Sequence, residues 1–272
     1  MAIPKSLSLF FLKIIHFFRL QYLLRAVYFF MFRLKNRSKC FQYKFGNYEF
    51  LLYARRASEF PFFLARRFGF VGEKNVIRQM LLHLREGDCV YDIGASIGSH
   101  SIIMAKKVGP QGLVVSFEPE PHSFQILEKN VVLNHLLNVK TFPVALGNIS
   151  EKRELFSPDS GLGSFNLLSR GKSLGRSISI VQGDTWVRQN RLRLPHAVKI
   201  DVEGYEHFVL QGLSQTLSSA QCLMLCCEIH PHMLPSGISA EDVMGLIQSF
   251  GFNRIDTQLL AKTYHVFCYK EC

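Results

Sequence analysis

The sequence predicts an α/β domain built on a mostly parallel sheet with helices on both faces. Three observations predict it. From Cys89 to Ile229, short apolar runs alternate with amphipathic stretches of helical length, which is the rhythm of a covered parallel sheet. Four of those runs finish in acids: Asp92, Glu118, Asp201 with Glu203, and Glu228 followed by His230. Strands are depleted in carboxylates, and sheets of this kind bind ligands beyond the carboxyl ends of their strands. The first run then passes directly into a glycine turn, "VYDIGASIGSHS", Val90 to Ser101.

The 272 residues suffice for one large α/β domain with an N-terminal extension. With 48% hydrophobic and 19% charged residues, the chain has ample material for a core. We expect three parts: a segment 1–40, a hairpin and helix over 41–85, and the main domain over 86–272.

Residues 1–40 hold Lys5, Lys13, Arg19, Arg25, Arg33, Lys35, Arg37 and Lys39 and no acid, so most of the net charge of +11 sits there. The same segment carries seven Phe and two Tyr. Its cations interrupt every apolar stretch before the roughly 20 residues that a spanning helix needs, and no signal-peptide pattern emerges. Two expectations remain open. The segment lies on an anionic membrane surface, or it packs on the main domain with its cations in water. The seven cysteines are odd in number and mostly within apolar runs, so they are expected as reduced, buried thiols of a cytosolic protein. Cys222 and Cys226 are expected on one strand, where four residues span roughly 13 Å, too far to share a metal.

The elements follow in order. Phe41–Tyr53 alternates around Gly46-Asn47 and reads as a hairpin. Gly72–Arg85 is a helix, with Val76, Ile77, Met80, Leu81 and Leu84 on its apolar face. Cys89–Ile93 is a strand, Ser99–Lys107 a helix, Leu113–Phe117 a strand and Ser123–Leu137 a helix. Val139–Leu146 reads as one strand, with Pro143 at an edge or bulge. Residues 157–177 form a glycine- and serine-rich insert, and Ser157–Asn166 is a candidate lid. Ile178–Val181 is an added strand, and Asp184–Gln189 begins a short helix. Ala197–Val202 is a strand, Tyr205–Leu217 a helix, Cys222–Ile229 a strand and Ala240–Phe250 a helix. Asn253–Leu259 and Tyr264–Tyr269 pair at the end.

Which ligand suits the glycine turn follows from what it lacks. Gly94-Ala-Ser-Ile-Gly98 misses the second glycine of the dinucleotide fingerprint, and Asp92 at its mouth would repel phosphates. Gly98-Ser99-His100 supplies no P-loop lysine. A ligand with positive groups fits better. S-adenosylmethionine carries a sulfonium, an ammonium and a carboxylate. The N–H groups of Ala95–Gly98 would take the carboxylate, Asp92 would favour the cations, and Glu118 would accept both ribose hydroxyls. Phe117 and Pro119 would offer apolar surface to adenine.

Four blocks, "VYDIGASIGSHS", "FEPEPHSFQILEKN", "KIDVEGYEHFVLQG" and "EIHP", together resemble the FkbM family of S-adenosylmethionine-dependent methyltransferases, over roughly Gly72 to His230. The resemblance implies a seven-stranded Rossmann-like (class I) methyltransferase sheet whose last strand runs antiparallel. It implies O-methylation of hydroxyls on sugars or on lipid- and polyketide-linked acceptors. It places the cofactor at Asp92, Gly94, Gly98 and Glu118, with Pro119 beside the adenine and Val144, Ala145 and Leu146 at the adenine edge. Asp201, Glu203 and Gly204 would face the transferred methyl. Ser96 stands where the family usually has Asn.

An alcohol is a poor nucleophile at neutral pH, so a base is expected. Asp201 and Glu203 lie two apart on the predicted strand and so share a face. Glu228 and His230 repeat the spacing. The expected bases are Asp201 or Glu203 first, then His230, whose side chain ordinarily titrates near neutrality. Glu203 has a rival role as a cap of the next helix. Glu206 and His207 read as surface helix residues, and His100 as a helix-start residue. A Mg²⁺ on Asp201, Glu203 and Glu228 suits a hard cation, but no spacing demands a metal and none is assigned. The expected partner is a hydroxyl-bearing small molecule or glycan. Nucleic acid is not expected, because the basic charge is confined to residues 1–40 and "IDVEGY" lacks the motif of base-amino methyltransferases. A non-catalytic cofactor-binding scaffold is the other rival, and the acids at four strand ends argue against it. The expected location is the cytoplasm, with peripheral contact to a membrane's cytoplasmic face through residues 1–40.

Overall fold

The computed structural model describes residues 27, 40–54, 71–155, 176–260 and 262–271. Almost all of residues 1–40 and of the insert 157–177 therefore lies outside the described residues, and so does the candidate lid Ser157–Asn166.

A hairpin, β1 (Cys40–Phe45) and β2 (Tyr48–Tyr53), opens the described chain and is followed by α1 (Val71–His83). Then come β3 (Cys89–Ile93), α2 (Ser99–Val108), β4 (Leu113–Phe117), α3 (Pro121–Leu133), β5 (Val139–Phe142), β6 (Ala145–Gly147) and β7 (Glu151–Leu155). The second half comprises β8 (Arg176–Gln182), α4 (Gly183–Gln189), β9 (Ala197–Ile200), α5 (Glu206–Gly212), α6 (Ser214–Ser218), β10 (Met224–Ile229), α7 (Ala240–Ser249), β11 (Arg254–Leu260) and β12 (Thr263–Tyr269).

Seven strands form the central sheet in the order β11-β12-β10-β9-β3-β4-β5. β3 runs parallel to β4 and β9, β4 to β5, and β9 to β10. β12 enters antiparallel between β10 and β11. This is the expected sheet with its antiparallel last strand. The chain leaves β3 for β4 and β5 on one side and returns to β9 and β10 on the other. The switch point therefore lies between β3 and β9, where sheets of this kind open a crevice for ligand.

Strand alternation sorts the two faces. Tyr91, Val115, Val198, Leu225 and Val266 point into one core with Val209, Leu210 and Ile247. Val90, Val114, Ala197, Met224 and Phe267 point into the other, beneath α1, α2 and the hairpin. On α1, Ile77 and Met80 are fully buried, as the helical spacing required, and each such side chain contributes about 1.5–3 kcal/mol. Two asparagines of α3 hold the hairpin in place. Asn130 Oδ1 accepts from Tyr53 N at 2.6 Å, and its Nδ2 donates to Ile97 O at 2.8 Å. Asn134 pairs with both the N–H and the C=O of Leu51, at 2.9 and 2.7 Å.

Four local expectations need correction. Val139–Leu146 is not one strand. Pro143 lacks an N–H for the ladder, and the chain leaves the central sheet there to form β6 in a separate three-stranded sheet, β6-β8-β7. β7 was missed because Glu151, Lys152, Arg153 and Glu154 hide its period, and charged strands of this kind belong at sheet edges. Tyr205–Leu217 breaks into α5 and α6 at Gly212. A Cβ there would lie 1.9 Å from Gly147 O, so only glycine lets α5 approach β6 so closely. Ala197–Val202 ends early, at Ile200, with consequences for the acids that follow.

Candidate active site

Asp92 is fully buried at the end of β3. Ser101 Oγ donates to its Oδ2 at 2.5 Å, Ser116 Oγ donates to Ser101 Oγ at 2.9 Å, and Lys199 Nζ faces Oδ1 at 3.2 Å. Its charge is thus spent on an internal lysine, and the structure places it behind the glycine turn and not at a ligand-facing surface. Lys199 was not singled out in the sequence. The lone cation inside the apolar run "AVKID" was the available signal. Lys199 also reaches Asp201 Oδ2 at 3.7 Å and Gly94 O at 3.4 Å. Burial opposes its charge, but Asp92 and Asp201 outweigh this and raise its pKa, so it stays an ammonium.

The turn itself is left-handed at three positions, with φ of 79° at Gly94, 50° at Ser96 and 85° at Gly98. A Cβ on Gly94 would meet Asp201 O at 1.9 Å, so the turn packs directly against the end of β9. The N–H groups of Gly94 and Ala95 bond to Phe117 O, that of Gly98 to Ala95 O, and that of Ser96 to Glu118 Oε2 at 2.7 Å. Most of the loop's amides are therefore committed internally. The first turn of α2 has no side-chain cap, so its leading N–H groups can attract an anion.

Glu118 is almost fully buried just past β4. Each carboxylate oxygen accepts one backbone N–H, Oε2 from Ser96 and Oε1 from Glu120 at 2.9 Å, which leaves each a second lone pair for a ribose hydroxyl. Burial pushes its pKa up to about 7, against the opposing pull of those two amides. Glu120, also buried, caps α3 through Ser123 N at 2.6 Å and pairs with Arg176 at the start of β8. Pro119 is half-buried between the two acids. Val144, Ala145 and Leu146 are buried just beyond β5, the strand next to β4. Phe117 offers no surface to a ligand. Its ring is 1% exposed and sits in the core between Tyr91 and Phe142, with centroids 5.8 and 5.6 Å away.

Past β9 the backbone turns. Asp201 and Glu203 do not share a strand face, because Glu203 adopts a left-handed φ of 53°, followed by Gly204 at 98°. That turn, and not strand alternation, brings them together with His230: one ligand-type atom of each lies within 4.8 Å of the others. Glu206 is fully buried, and not the surface residue expected. Its Oε1 accepts from Gly204 N at 2.9 Å and lies 2.7 Å from His230 Nδ1. His230 Nε2 faces Glu203 Oε2 and Glu228 Oε1, both at 3.6 Å.

These charges set the protonation states. Burial works against a charged His230, but the Glu206 hydrogen bond and the fields of Asp201, Glu206 and Glu203 prevail, and its pKa rises to about 10. The expectation of a base near neutrality is reversed: His230 is an imidazolium at pH 7. Burial alone would raise Asp201, yet Lys199 and then His230 hold its carboxyl below the usual range. His100 and Glu228 meet Lys199 and Asp201 around one small cavity. Burial, aided by the Lys199 ammonium, drives His100 down to about 4. His265 on β12, also unforeseen, lies 3.4 Å from Glu228 and is lowered by burial.

A parallel-sheet switch point with a buried carboxylate past its second strand and charged groups past its fourth and fifth defines a Rossmann-like, nucleoside-binding enzyme of the methyltransferase type. The FkbM methyltransferase domain matches residues 92–254, and the chain belongs to that family. It is an S-adenosylmethionine-dependent methyltransferase. Over 179 residues it is 30% identical to the hexuronic acid methyltransferase AglP of Haloferax volcanii, covering 65% of this chain and 68% of that protein. It is 26% identical to a methyltransferase of Beauveria bassiana over 46% of this chain and 57% of the other. Among solved structures, an S-adenosylmethionine-dependent O-methyltransferase of Thermotoga maritima superposes with a TM-score of 0.46 at 13% identity, covering 82% of this chain and 74% of that one.

Proposed function

We propose that the protein transfers a methyl group to a hydroxyl of a sugar residue, within a glycan or a lipid-linked glycan. The relative named for hexuronic acid methylation supports a sugar acceptor. The observation that carries the reading is one of placement. Glu118, suited to a ribose, and the cluster of Asp201, Glu203 and His230 flank the glycine turn at the carboxyl ends of the central strands.

Bound S-adenosylmethionine supplies a methyl on a sulfonium, already a good leaving group, so alignment of the acceptor accounts for much of the rate. Glu118 would accept the ribose hydroxyls, and the uncapped start of α2 would receive the carboxylate. Asp201 or Glu203 would take the proton of the acceptor hydroxyl as its oxygen is methylated. His230, held as a cation, is unsuited to that task and instead keeps the carboxylates oriented. His100 and His265 are neutral at pH 7 and lie near the same acids.

Residues 1–40 supply the second part of the reading, peripheral attachment to an anionic membrane surface that would bring a lipid-linked acceptor within reach. No helix of the described residues is long and apolar enough to cross a membrane. The test of acceptor class is incubation of the full chain and S-adenosylmethionine with uronic acid-bearing and neutral oligosaccharides, read by mass spectrometry. A gain of one methyl on a sugar hydroxyl is expected. Methylation only of non-carbohydrate hydroxyls would overturn the sugar reading.

A further inference from the structure

The corner beyond β9 and β10 gathers the carboxylates of Asp201, Glu203, Glu206 and Glu228 around Lys199 and His230. Lys199 is divided between Asp92 and Asp201. Glu203 Oε2 and Glu228 Oε1 lie 3.6 Å from His230 Nε2, Glu206 Oε1 lies 2.7 Å from its Nδ1, and Glu228 Oε1 also lies 3.4 Å from His265 Nε2. Glu206 is fully buried, and its Oε2 has no hydrogen-bond partner. A buried carboxylate oxygen that makes no bond is costly, and a cation held close by offsets that cost.

The geometry of the imidazole says what kind of cation. His230 Nδ1 is 2.7 Å from Glu206 Oε1, so Nδ1–H donates there and Nε2 points at the acids. A carboxylate behind the imidazole is the usual support of a metal-bound histidine, fixing its tautomer and ring orientation. The three donor atoms of Asp201, Glu203 and His230 lie within 4.8 Å of one another. At metal–ligand lengths of about 2.1 Å, octahedral neighbours sit about 3 Å apart and opposite ligands about 4.2 Å. Shifts of under about 1 Å, easy for the half-exposed Glu203, would close the set around an ion.

We propose that Asp201, Glu203 and His230 form a site for a divalent transition-metal cation, with Glu206 as its supporting carboxylate. Two oxygens and one imidazole nitrogen suit an ion such as Mn²⁺, which accepts both donor types. Nε2 then bears the ion in place of a proton, so on either occupancy it is not the base; each carboxylate lends the ion one oxygen and keeps the other for the acceptor's proton. Three protein ligands leave positions open for an acceptor, and adjacent sugar oxygens, a uronate carboxylate among them, are the groups that would fill them. That last clause rests on the sugar-methylation reading, but the metal site does not.

The test is therefore made without cofactor or acceptor. The full chain is titrated with Mn²⁺ and the free-ion signal followed by electron paramagnetic resonance. One saturable equivalent is expected. Glu203→Gln and Asp201→Asn should each weaken it tenfold or more, while Glu241→Gln, on the exposed side of α7, should leave it unchanged. Pulsed spectra should show a nitrogen coupling that His230→Gln abolishes. Absence of saturable binding, or equal affinity in both carboxylate variants, would overturn the site. The carboxylate variants keep the test decisive even where His230→Gln folds poorly.

Discussion

Glu118 is the residue whose chemistry is most constrained by its surroundings. As the acceptor of a ribose diol it would make charge-assisted bonds, so Glu118→Ala should weaken S-adenosylmethionine binding about 10- to 150-fold, or about 1.5–3 kcal/mol, measured by calorimetry. Unchanged affinity would remove Glu118 from the cofactor site. Its pKa adds a second expectation. The folded value of about 7 stands above the ordinary 4.5, so the cofactor-free fold favours the protonated form. Stability from this group is full below about 4.5 and is lost as pH rises through about 7. Relative to Glu118→Gln, the cofactor-free protein should lose up to about 3 kcal/mol across that window, seen in urea melts at pH 5 and pH 8. Cofactor affinity should move the other way and rise with pH as the carboxylate forms. At the opposite side of the turn, Asp201→Asn and Glu203→Gln should fold and bind cofactor yet lose at least about tenfold in turnover. Near-native turnover in both would shift the base to His265 or His100.

Elements matter here through how they are tied. α3 is fastened to the hairpin and the glycine turn by Asn130, which is fully buried and serves Tyr53 N and Ile97 O at once. Asn130→Ala strands both backbone groups, each costing about 1–3 kcal/mol, so a loss of about 2–4 kcal/mol in denaturant melts is expected. Because Ile97 belongs to the turn, cofactor affinity should fall as well. Asn138→Ala, which removes donors to the carbonyls of Ala105 and Gly109 but leaves Ala105 O bonded to Gly109 N, should cost less. Equal costs would mean that the buried tie carries no special weight.

For the whole molecule, the charge asymmetry is the leading fact. Eight cations and nine aromatics in residues 1–40 precede a body of small net charge. Each cation near an anionic surface contributes about 1 kcal/mol, attenuated by salt. The full chain should co-sediment with anionic vesicles at low salt, and a version beginning at Phe41 should not. Equal, weak binding by both would refute attachment. Aggregation of the shorter chain would point instead to a segment docked on the domain.

The sequence by itself determined the alternation of strand and helix that makes a parallel sheet, the paired strands at its end and the positions of the strand-end acids, while the antiparallel last strand was implied only by the family resemblance. Those are local properties: a period of two or 3.6, a glycine that permits positive φ, a carboxylate where a strand has no use for one. Glu118 was legible for that reason. The tertiary structure alone decided what the acids meet. Asp92 faces inward because Lys199 on β9 stands beside it, a pairing that joins residues 107 positions apart in the chain. Glu203 reaches the cluster through a left-handed turn that no apolar pattern announces. Glu206, read as a surface residue of α5, is buried because His230 at the end of β10 packs onto it, 24 residues further on. His230 becomes a cation, and not a base, for the same reason. Protonation depends on distances to charges from several strands and on lost water, and neither is a function of neighbours in sequence.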